Sequence, residues 1–150
     1  MGVLTANSNV PIRGGEETSM KSAVVDIFYQ GAVISHAVAG GVTPVPVASG
    51  VFAGICAEYK SAAIGDEICL YHGGTIGIPN TNFAAAHVSG LCFVDFSAGS
   101  DNPADLINTN ASGPVGAGGD YAIGQIESYN LDGRTWINLE IRAIATKSNP

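Results

Sequence analysis

Between Val51 and Pro79 every apolar run is cut short by glycine, proline or charge, and that confines the stretch to short strands joined by turns. Val51–Tyr59 is rich in strand formers. Lys60–Asp66 reads as a small polar linker closed by Gly65-Asp66. Glu67–His72 forms a second strand, Gly73-Gly74 a tight turn, and Thr75–Ile78 a third strand stopped by Pro79. In Val51–Tyr59, the set Val51, Ala53, Ile55 and the set Phe52, Gly54, Cys56 are both apolar. That suits a strand covered on both sides. No residue here carries a catalytic pattern.

The rest of the chain repeats this grammar. Ala23–Tyr29 alternates, with Val25, Ile27 and Tyr29 on one face and Val24, Asp26 and Phe28 on the other; Gly31 then allows a bend. Ala32–Val38 continues extended to a Gly40-Gly41 turn. Pro44 and Pro46 limit Val42–Ala48 to an edge strand. Thr81–Gly90 is a connector with room for one helical turn, and Leu91–Phe96 is a strand. Ser97–Asp120, rich in Ser, Asn, Asp and Gly, reads as a long loop. Tyr121–Glu127 and Thr135–Ala143 form a hairpin around Asp132-Gly133. The last strand sets Ile137, Leu139, Ile141 and Ala143 against Trp136, Asn138, Glu140 and Arg142. These signals predict an all-β fold, an antiparallel β-sandwich or small β-barrel with an extended N-terminal arm. Residues 1–21 are the expected flexible arm, 22–145 the domain and 146–150 a tail. Left alone, an arm so polar stays disordered; the functional alternative is an arm that orders on a neighbouring subunit.

Composition excludes several functions. Net charge is −7 and the six lysines and arginines never cluster in sequence, which argues against nucleic acid as a partner. No apolar run reaches the length of a membrane helix, and no signal peptide opens the chain, so synthesis is expected in a reducing cytoplasm. Cys56, Cys69 and Cys92 lack a CxxC pair and read as small buried hydrophobes. His36, His72 and His87 lack ligand spacing, so no metal or other cofactor is expected. Asp101 and Asp105 read as solvated loop residues, and Gly113–Gly119 lacks the Lys-Ser/Thr of a phosphate loop. Glu58, Glu67, Asp95 and Glu127 read as solvated carboxylates on or beside strands. No nucleophile motif is present, and the chain is not expected to be an enzyme. Trp136 heads the polar face of the last strand, where an exposed tryptophan would mark a contact site.

The order of several segments is distinctive. Tyr29-Gln30-Gly31-Ala32-Val33 comes first, then Phe52–Glu58, then Gly65–Tyr71 with a glycine turn behind it. Leu91–Asp95, Ile123-Gly124-Gln125-Ile126 and the closing alternating strand follow. Over roughly Ser22–Ala143 this order resembles the small β-rich capsid decoration, or head cement, proteins of tailed bacteriophages and prophages. The polar arm and the Ser97–Asp120 loop depart from the pattern. The resemblance implies a non-enzymatic virion protein on the outer capsid surface. It would bind as a homotrimer or dimer and brace the major capsid protein. A receptor- or glycan-binding module, with Trp136 and the long loop as its ligand surface, is the other reading. The residues expected at the capsid contact are Val3, Leu4, Val10, Pro11, Ile12 and Arg13 of the arm, with Trp136.

Overall fold

A computed structural model describes residues 4–37, 40–44, 51–95, 100–108 and 120–140. Outside them lie Val3, Pro46, the Gly113–Gly119 run, Ile141, Ala143, the tail and most of the Ser97–Asp120 loop. Ten strands follow one another: β1 (Ile12–Lys21), β2 (Asp26–Phe28), β3 (Val33–His36), β4 (Val42–Thr43), β5 (Val51–Cys56), β6 (Lys60–Ala62), β7 (Glu67–Pro79), β8 (Leu91–Asp95), β9 (Asp120–Leu131) and β10 (Arg134–Glu140). The architecture is the expected all-β one, a curled antiparallel sheet forming a half-barrel.

β7 is the spine. Its first half pairs with β5 through Leu70 and Tyr71, and its second half pairs with β10 from Gly73 to Pro79. β1 runs along its other side, with Ile12 opposite Ile76 and Lys21 opposite Glu67. From β7 the sheet continues through β5 and β3 to β4, and through β10 and β9 to β8. It curls far enough that Ser22, just past β1, bridges Val42 of β4. β2 and β6 form a separate two-stranded ribbon.

Two expectations are corrected here. Gly73-Gly74 is no turn: β7 passes straight through it. At Gly74, φ is +96°, and a side chain there would start 2.8 Å from the Gly14 carbonyl oxygen. The glycine lets backbones approach where the β1 register shifts. Residues 12–21 are also not a loose arm, since they form the strand β1. Pairing with β7 satisfies their backbone, and Ile12 and Met20 pack against the two cores. Ladder bonds and partial burial outweigh a local composition that favours disorder.

The main core gathers Phe52, Ile55, Ile76, Ile78, Cys92, Val94, Ile123, Ile126, Ile137 and Leu139 with Val10. A second holds Phe28, Ile34, Val42, Ala53, Cys56, Ile68 and Leu70. β5 feeds both, as its sequence suggests, but in a different phase. Ile34 pairs Gly54 and Ser35 pairs Phe52, so Ala53 is an extra residue in a bulge. The bulge puts Phe52 and Ile55 in one core and Ala53 and Cys56 in the other. At the Asp132-Gly133 turn both residues have positive φ, 56° and 74°, the geometry that suits a two-residue hairpin loop.

Candidate partner-binding surface

The β2–β6 ribbon carries the largest exposed apolar side chains. Phe28 pairs Lys60, Ile27 pairs Ser61 and Asp26 pairs Ala62. Phe28 and Ala62 point inward and are buried. The alternation then turns Val25, Ile27 and Tyr29 outward. Val25 is 76% exposed, and Ile27 is exposed as well. Across the ribbon Tyr59 is 51% exposed, and its ring meets that of Tyr29 edge to face at 5.8 Å.

Local chemistry fixes one end of the ribbon. Ser22 Oγ donates to the Val24 carbonyl (2.6 Å) and accepts from the Val24 N–H (3.2 Å), turning the chain out of β1. At the same end, where the Ser22 N–H donates to the Asp66 carbonyl and the Gly65 N–H to the Ser22 carbonyl, the Asp66 N–H donates to the Ala63 carbonyl, and Asp66 Oδ2 accepts from the Ala63 N–H (2.9 Å). Gly65 takes the positive φ of this turn, +90°. Ile64 is thereby held at the tip, 70% exposed. The ribbon thus offers an apolar strip from Ile64 to Tyr59, interrupted by the exposed Ser61 opposite Ile27.

Of the contact residues expected from sequence, Val3 lies outside the described residues, and the others make contacts within the chain. Leu4 packs against the second core, and its N–H donates to Asp101 Oδ1 at 2.7 Å. Val10 is buried in the main core, Ile12 packs against it, and the Pro11 carbonyl accepts from the Gly77 N–H (2.9 Å). Arg13 and Trp136 come together: the guanidinium carbon lies 4.0 Å from the centre of the indole. Trp136 is therefore not the exposed residue its place on the polar face suggests. It is 5% exposed, and its indole N–H donates to the Leu131 carbonyl (2.8 Å). A side chain at Gly77 would start 3.0 Å from the ring, so the absence of one makes room for the indole.

Asp101 is a second correction, being 1% exposed rather than solvated. Burial pushes its carboxyl up to about 6; the Leu4 N–H opposes the shift and the Asp26 charge adds to it. Burial also pushes the Cys56 thiol up to about 11 and raises that of Cys92, so both stay protonated and unreactive. His87 Nδ1 accepts from the Ala84 N–H (2.9 Å) in a short 3-10 turn, Ala85–His87. Among the described residues no group of His, Cys, Asp and Glu is placed to hold a metal ion, and no helix is long and apolar enough to cross a membrane.

The ribbon strip was half legible in sequence. The apolar alternation of Val25, Ile27 and Tyr29 is plain, but nothing local says that this face stays uncovered. Compared with known proteins, the chain matches no family model, no curated protein and no solved structure.

Proposed function

We propose that this chain is a virion structural protein that binds the outer surface of a tailed-phage capsid and stabilises the lattice of its major capsid protein. The observation that carries the reading is the apolar strip of Val25, Ile27, Tyr59 and Ile64, with half-buried Tyr29 beside them, on and beside a ribbon braced at one end. Large side chains on a rigid, exposed β-ribbon suit contact with another protein. The resemblance of the segment order to that of capsid decoration proteins supports the same partner.

In this role the chain is no enzyme and needs no cofactor. It is made in the host cytoplasm and ends on the virion, as a homotrimer or a dimer. Many identical weak contacts across a shell give avidity that a single contact lacks. The glycan-binding reading placed Trp136 at its ligand surface, and burial beneath Arg13 removes that anchor.

The test is shell stability. Shells of the same phage's major capsid protein are heated with and without this chain, and disassembly is followed by light scattering. The reading expects disassembly at a higher temperature with the chain bound. An unchanged profile at saturating protein refutes it.

A further inference from the structure

We propose that Arg13 and Arg134, gathered on the indole of Trp136, form a carboxylate-binding subsite for an acidic segment of a partner protein. The six basic residues are scattered in the sequence among thirteen acidic ones. The fold nevertheless brings two of them to one aromatic ring. Arg13 arrives from β1 and lies over the indole, 4.0 Å from its centre. Arg134 arrives from β10, two residues before Trp136, and borders Gly77 as the ring does. The point where a Gly77 side chain would begin is 3.0 Å from Trp136 Cη2 and 3.1 Å from Arg134 Cδ.

Both guanidinium groups are held with donors to spare. A guanidinium carries five N–H donors, more than the contact of the Arg13 group with the ring can engage. Arg134 Nη1 donates to the Gly77 carbonyl at 3.1 Å, which uses one of its five N–H groups. The platform is rigid, because the indole is buried and its own N–H is bonded to the Leu131 carbonyl. Guanidinium groups already ordered by packing lose less freedom when a carboxylate takes two parallel N–H bonds. The row of the sheet through Arg13 continues in Thr75, Asn138 and Gln125, which are polar but uncharged. A carboxylate arriving there meets no repulsion from that row. In a chain of net charge −7 such a subsite favours acidic side chains presented by another protein.

The inference needs only this geometry, so it stands or falls apart from the capsid reading. Trp136 is the sole tryptophan, and its emission reports on the groups packed against it. A short oligoglutamate peptide is titrated into the full chain at low salt. The expected result is a saturable change in tryptophan emission. R13Q and R134Q, folded by circular dichroism, should each weaken the response by about tenfold, as loss of a charge-assisted pair does. If one variant fails to fold, the other decides. No saturable response, or an undiminished one in the folded variants, overturns the proposal. So does tighter binding of inorganic phosphate or a single-stranded oligonucleotide than of oligoglutamate.

Discussion

Gly74 stands where β7 meets the bulged part of β1, and no other residue type fits. Its φ is +96°, and a methyl group would lie 2.8 Å from the Gly14 carbonyl and 2.9 Å from that of Arg13. Gly74→Ala should therefore cost about 3 kcal/mol, strain and clash together, measured by chemical denaturation. A cost under about 0.5 kcal/mol would mean that β1 does not press on β7 there. Asp101 makes a pH prediction. Its folded carboxyl titrates at about 6 against 3.8 when exposed, so the folded state holds the proton more tightly. Its contribution is present at low pH and is lost as pH rises between about 4 and about 6. Asp101→Asn should remove about 2 kcal/mol of slope over that window, allowing for solvent screening. Parallel curves for the two proteins would show that the burial is not real. Neither residue was legible in sequence. The glycine pair read as a turn and the aspartate as a loop residue, because what constrains them is backbone distant in the chain.

At the scale of elements, β1 shows how far local composition can mislead. Gly14, Gly15, Glu16 and Glu17 signal disorder, yet the segment completes the edge of the longest strand in the sheet. Those same residues, charged and bulged, also guard that edge against pairing with other chains. Removing residues 1–21 takes away β1 along with the buried Val10 and the Leu4 bond to Asp101. The truncated chain is expected to lose cooperative unfolding and amide dispersion in NMR. A well-folded truncation would return the segment to the status of a free arm. The turn between β9 and β10 was legible, since Asp132-Gly133 is a local signal, but the register shifts on either side of Trp136 and the burial of Thr135 and Trp136 break the expected alternation. β5 was legible in burial but not in phase, because its bulge depends on the partner strand β3.

At the scale of the molecule, the chain turns much of its apolar content inward; among the described residues the most exposed large apolar side chains, Val25, Ile64 and Tyr59, make a strip on and beside the β2–β6 ribbon, with Val51, Val88 and Leu131 exposed elsewhere. The sequence supplied the strip's alternation; only the sheet order left it uncovered. Val25→Asp with Ile64→Asp should leave stability within about 0.5 kcal/mol of the parent, because both side chains are exposed. The most direct test of the proposed function is co-sedimentation of this doubly substituted protein and its parent with assembled shells of the same phage's major capsid protein. The account predicts saturable binding of the parent and binding at least about tenfold weaker for the variant. Equal binding of the two, or no binding of the parent, would contradict it.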